Sequence, residues 1–96
     1  MSGGDRVQCL VNAGATDCDS LPKAISNKVD KAARFVDRGL ARSRPKGRSK
    51  SLGLAVDLLE SARKRAAKSK ALDPACAEGL ESGLDAAIAY VEDLSS

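Results

Sequence analysis

Residues 73–94 read DPACAEGLESGLDAAIAYVEDL, and this stretch decides the fold class. Asp73 before Pro74 is a helix start. An Asp side chain accepts hydrogen bonds from the first exposed amides, and proline loses nothing at the first helical position. Ala77, Leu80, Leu84, Ala87, Val91 and Leu94 then recur at intervals of three and four, with Ile88 beside them. On an α-helix these positions form one heptad-like seam. Glu78, Glu81, Asp85, Glu92 and Asp93 fall off that seam, and the early acids sit where the helix dipole favours negative charge. The spacing predicts an amphipathic helix over 74–94 whose apolar side needs partners.

The partners lie upstream. Leu21, Ile25, Val29, Ala32, Ala33, Val36 and Leu40 make a second apolar stripe. It predicts a helix over 20–41, with Asp19 or Ser20 as N-cap and Pro22 in the first turn. Leu52, Ala55, Val56, Leu59, Ala62 and Ala66, widened by Leu58, make a third stripe. It predicts a helix over 50–71 that starts near Ser49 or Ser51. Between them, residues 42–50 read RSRPKGRSK, where Pro45 and Gly47 predict a break and an exposed basic loop. Residues 1–17 carry Gly3, Gly4 and Gly14 around Val7-Gln8-Cys9-Leu10-Val11. This piece reads as a tail or short extra element: a helical turn, a brief strand or an ordered tail. Short connections make neighbouring helices antiparallel. The expected fold is all-α: a three-helix antiparallel, up-down-up bundle over 18–96, preceded by a short irregular N-terminal segment.

Ninety-six residues suffice for one domain. Hydrophobic residues make up 43%, but Phe35 and Tyr90 are the only aromatics and there is no Trp. A core of Leu, Val, Ile and many Ala buries little area per side chain. At roughly 25 cal/mol per Å² of apolar surface, such a domain is marginal without a staple.

The cysteines offer one. Cys18 lies just before the first predicted helix and Cys76 in the first turn of the third. In an up-down-up bundle those two helix starts share one end, so the topology brings the two thiols together. A disulfide there would stabilise by about 4 kcal/mol in the chain-entropy account. The competing reading is two ordinary small buried residues. Cys9 is then left free, pairs elsewhere, or competes for Cys18. Three Cys without any His, at spacings of nine and 58, match no zinc module. No His can serve as base for a cysteine nucleophile either.

Charge is laid out unevenly. The net charge is +3, yet residues 34–70 hold 12 Lys/Arg against three Asp/Glu, while residues 71–96 hold six acids and no Lys or Arg. Neighbouring helices of opposite charge can simply complement each other. The functional alternative is an anion-binding surface made of Arg42, Arg44, Lys46, Arg48 and Lys50 in the loop, with Arg63, Lys64, Arg65, Lys68 and Lys70 at the far end of the second predicted helix. Those two clusters lie roughly 25 Å apart along a helix, so only a long polyanion would touch both. There is no aromatic platform for single strands and no helix-turn-helix spacing. The carboxylates of the third predicted helix lie off its seam on a solvated face with no pocket suited to acid–base work, and no phosphate-binding loop or dinucleotide fingerprint occurs. Asp19-Ser20-Leu21 matches the tripeptide of acyl carrier proteins. Carriers need a full helix and a long loop before that serine, and only 19 residues precede it. No stretch approaches the ~18–20 apolar residues of a membrane span, and the polar opening Met1-Ser2-Gly3-Gly4 shows no signal peptide.

Cys18 before an amphipathic helix, a basic linker, a Lys/Arg-rich second helix, and Asp73-Pro74-Ala75-Cys76 opening an acidic third helix together resemble the small helical tail domains at the ends of secreted bacterial proteins. The resemblance covers about residues 18–95. It implies an accessory or spacer role outside the cytoplasm and no active site. The expectation is therefore a non-enzymatic accessory, spacer or protein-interaction domain of an exported bacterial protein, extracellular or periplasmic. It would use no cofactor or metal, and its partner would be another protein or a neighbouring domain. The alternative is a small cytoplasmic nucleic-acid-binding or regulatory protein using residues 42–50 and the basic helix end. Either form is a monomer, or a weak dimer through Leu54 and Leu58, which can equally complete the core.

Overall fold

The computed structural model describes residues 3–16, 18–19, 21–70 and 72–95. Among the described residues it is all-helical, with four helices: α1 Gly3–Gly14, α2 Lys23–Ala41, α3 Pro45–Lys68 and α4 Pro74–Ser95. The all-α class is as expected, but the three-helix architecture is not. Residues 3–14 are no irregular segment. They form a helix that packs between α2 and α4, so the bundle closes as a ring α1–α2–α3–α4. Gly4 and Gln8 of α1 meet Asp37 and Asp30 of α2, so these helices are antiparallel. Gly14 of α1 meets Gly79 of α4 while Gly3 approaches Tyr90, so that pair is antiparallel too. The topology is up-down-up-down, drawn out to 42 Å in its longest dimension.

The physical reason for the fourth helix lies in its glycines. Glycine is a poor helix former, and in α1 it is also the contact residue. Gly3, Gly4, Val7 and Val11 recur on one face and are buried. A Cβ on Gly83 of α4 would stand 2.9 Å from the carbonyl oxygens of both Leu10 and Val11, and a Cβ on Gly79 would collide with the Gly14 carbonyl. The two backbones touch, and Val7 and Val11 are driven fully into the core. A 12-residue helix is marginal by itself; this packing holds it. Asp37 adds a tether, accepting a hydrogen bond from the Gly4 amide at 2.8 Å. A carboxylate at a helix N-terminus also complements the dipole.

Two other boundaries differ from expectation. Residues 42–50 are not a loop: only 42–44 connect α2 to α3, and Pro45 opens α3 after Arg44 at the N-cap. Proline's fixed φ suits a first helical turn, so this Pro starts a helix instead of stopping one. At the start of α2, Pro22 occupies the N-cap with no side-chain cap hydrogen bond. Asp19 therefore does not cap, and Ser20 lies outside the described residues, as does Ala71 at the expected end of the second predicted helix. α3 ends at Lys68, and α4 opens at Pro74 as read, the Asp73 carbonyl accepting the first helical hydrogen bond from Ala77.

The core is aliphatic. Ile25, Leu52, Leu59, Leu80, Leu84, Val7, Val11, Val36 and Val91 are its largest fully buried side chains. Ala32, Ala55, Ala62, Ala66 and Ala87 fill the narrow contacts between them. Phe35 and Tyr90 sit at the edge, half-buried. Cys18 and Cys76 stand at disulfide distance, with Cα atoms 4.9 Å apart, and Cys9 is exposed on α1. The bond joins the α1–α2 connection to the first turn of α4, closing a loop of 58 residues.

Two measurements check this account. Gly83→Val should lower stability by about 1–3 kcal/mol through overpacking, with the α1 amides losing hydrogen-exchange protection ahead of α3. An unchanged denaturation midpoint would mean that α1 does not seat against Gly83. Cys18→Ser/Cys76→Ser should remove up to about 4 kcal/mol, read as a lower urea midpoint with the native circular dichroism retained in water.

Candidate functional site

The ring arrangement sorts the charges by face. Both α2 acids point toward α1, where Asp30 accepts from Gln8 Nε2 and Asp37 from the Gly4 amide. That leaves the opposite flank of α2, facing outward beside α3, to cations. Lys31, Arg34, Phe35 and Arg38 line the middle of an outer groove with Leu58 of α3. Toward the α2–α3 turn the lining continues through Arg42, Gly47, Lys50, Ser51 and Leu54. Toward the other end it includes Ile25, Ser61, Lys64, Arg65 and Lys68. On α2, positions 31, 35, 38 and 42 follow intervals of three and four. On α3, so do 47, 51, 54, 58, 61, 65 and 68. Such intervals define one stripe on each helix; the first two stretches share Phe35 and Arg38, and the third continues the same α3 stripe toward Lys68.

The candidate cations therefore divide. Arg42, Lys50, Lys64, Arg65 and Lys68 belong to the groove. Arg44 and Lys46 join Arg42 around Gly47 at the turn, where a Cβ on Gly47 would sit 3.0 Å from Arg42 Cδ. Arg48, one residue on, is exposed and carried round the helix away from the groove. Arg63 turns to the other side and pairs with Asp85 of α4 at 2.6 Å. Both side chains are about half-exposed, so this pair contributes at most about 1 kcal/mol, but it removes Arg63 from any anion site on α2/α3. Lys70 is exposed beyond the end of α3.

Lys31, Arg34 and Arg38 were missed from sequence. They bridge the two clusters that α3 alone keeps apart, and their signal was available: they sit beside the Ile25–Val29–Ala32–Val36 stripe at helical spacing. The groove floor is apolar. Phe35 and Leu58 are half-buried against the core, and Leu54 is 40% exposed. The Arg38 guanidinium lies 5.7 Å from the Phe35 ring centre. One acid interrupts the cationic rim: Asp57, exposed on α3 between Lys50 and Lys64 at heptad spacing.

The α3 start adds an electrostatic tension. Its first turn holds no acid, while Arg44, Lys46, Arg48 and Lys50 crowd the positive end of the helix dipole. Cations there are unfavourable by tenths of a kcal/mol each. At the other end, Arg65 and Lys68 lie in the last turn, where cations are favoured.

For the remaining candidates, the described residues hold no cluster of His, Cys, Asp and Glu suited to a metal ion. None of the helices, so far as described, is long and apolar enough to cross a membrane. A full helix does precede Asp19, contrary to expectation, but the long loop of a carrier protein does not, since α1 and α2 are joined by residues 15–22.

The tension at α3 is measurable. Lys46→Glu should stabilise the fold by roughly 0.3–1 kcal/mol at low salt, with the gain shrinking as salt screens it. A destabilised variant would show that Lys46 makes a favourable contact instead.

Compared with known proteins, the chain matches no family model, no curated protein and no solved structure.

Proposed function

We propose that this chain is a non-catalytic helical interaction domain of an exported protein, held together by the Cys18–Cys76 bond. The carrying observation is that pair: a buried Cys76 at bonding distance from Cys18, in a bundle whose core is built of small aliphatic residues. Disulfides persist in oxidising compartments, and small cores profit most from one. The reading assigns no catalytic residue, since the chain has no His and the α4 carboxylates lie largely on its outer face. Function then rests on surfaces, as a spacer or as a docking module for a protein partner.

A second reading draws on the cationic groove: a nucleic-acid-binding protein that lays α2 and α3 along a phosphate backbone. Such binding would weaken steeply with salt. The acidic α4, which carries no Lys or Arg, confines any such contact to one side of the bundle.

The first reading is tested by alkylating the protein in its native host before lysis, with and without reductant, and mapping the peptides. It expects Cys9 alkylated directly and the Cys18 and Cys76 peptides linked. Three directly alkylated thiols would place the chain in a reducing compartment and overturn the exported assignment.

A further inference from the structure

We propose that the outer α2/α3 groove receives an acidic amphipathic helix from a protein partner. The proposal rests on the interaction-domain reading and names the partner's chemistry. Two properties of the groove must be met together. Its floor is apolar, made by Phe35, Leu54 and Leu58, and Leu54 stands 40% exposed although the comparable leucines of α3, Leu52 and Leu59, are fully buried. Its rims are cationic on both helices, with Arg34 and Arg38 on one and Lys50 and Arg65 on the other.

A phosphate backbone would satisfy the rims and leave the floor bare. A helix with apolar residues at i, i+3/i+4 and i+7 fills the floor, and Glu or Asp on its flanks meets the rims at the same time. The dimensions agree. Two packed antiparallel helices offer a furrow that a third helix enters at an axis distance of about 8–10 Å. The α3 stripe from Gly47 to Lys68 runs roughly 31 Å at 1.5 Å per residue, room for about 20 residues of partner helix. Arg38, with its guanidinium over the Phe35 ring, places charge directly beside the apolar anchor site. Asp57 gives the rim a position that repels an acid. It thereby fixes the register of the incoming helix, because a partner must carry a neutral or basic residue opposite it.

The test uses the intact, disulfide-bonded chain and three labelled probes followed by fluorescence anisotropy at about 0.15 M salt. The first is a helical peptide of about 20 residues with one Leu face flanked by Glu. The second has the same composition in an order that leaves no apolar face. The third is a DNA duplex of matching length. The ordered peptide should bind at least about tenfold more tightly than the disordered one. Leu54→Asp, a change at an exposed position, should weaken it by about tenfold or more while leaving the circular dichroism unchanged. Arg38→Glu should weaken it as well. Equal binding of both peptides would overturn the proposal, because it would show attraction by charge alone. Tighter binding of the duplex, indifferent to Leu54→Asp, would overturn it in favour of the nucleic-acid reading. A disulfide-bonded protein that ignores the ordered peptide also overturns it. That result leaves the interaction-domain reading intact, since that reading is decided by the thiol state of the native protein.

Discussion

The structure depends on how closely α1 can approach α4. Large side chains hold helix axes 8–10 Å apart, and this chain has few of them. It closes its core by bringing backbones together, with Gly14 against Gly79 and Gly83 against the Leu10 and Val11 carbonyls. That approach seats Val7 and Val11 between α2 and α4. Without α1, the row α2–α3–α4 would be open along one side, and Val36 and Leu40, which Gly3 abuts, would lose cover. The glycines, weak as helix formers, are what make a fourth helix possible. The contact is also intolerant, since any Cβ at these positions meets backbone, which has no rotamer to change.

The same trade explains which parts of the fold were legible in the sequence. α2 and α4 were readable because their aliphatic residues repeat at helical intervals and polar residues fill the other positions. The meeting of Cys18 and Cys76 was readable because it needs only that α2 and α4 start at one end, which is as true of four alternating helices as of three. α1 was not readable by the same rule: its contact face is written partly in glycine, and glycine reads as a breaker when its neighbours in space are unknown. Pro45 misled for a related reason. A proline is compatible with both an end and a beginning, and the apolar stripe that would have decided between them starts only at Leu52. In the candidate site, the basic residues of α3 were visible as a run. Those of α2 were hidden among acids that prove to face α1.

Charge and shape therefore divide the bundle along its length. The α2 carboxylates are spent on positioning α1, the Arg63–Asp85 pair spans α3 and α4, and Lys31, Arg34, Arg38, Lys50, Lys64, Arg65 and Lys68 collect on the α2/α3 flank. Complementary helices and a one-sided cationic groove are both present, on different faces. Leu54, Leu58 and Phe35 lie along the groove and not at the ring's interior, so the apolar strip and the positive field coincide.

The placement of the disulfide has a mechanical meaning. α1 begins and α4 ends at one end of the bundle, where Gly3 approaches Tyr90, while Cys18 and Cys76 lie at the opposite end. A pull on the two ends of this chain would unzip α1 from α4 until it reached the sulfur bridge, and would stop there. Tension then passes through α1, the bridge and α4 alone. Residues 19–75, with the whole cationic groove, sit in a covalent loop that bears no load. A domain stretched between two neighbours would keep that surface folded and presentable while its outer helices yield.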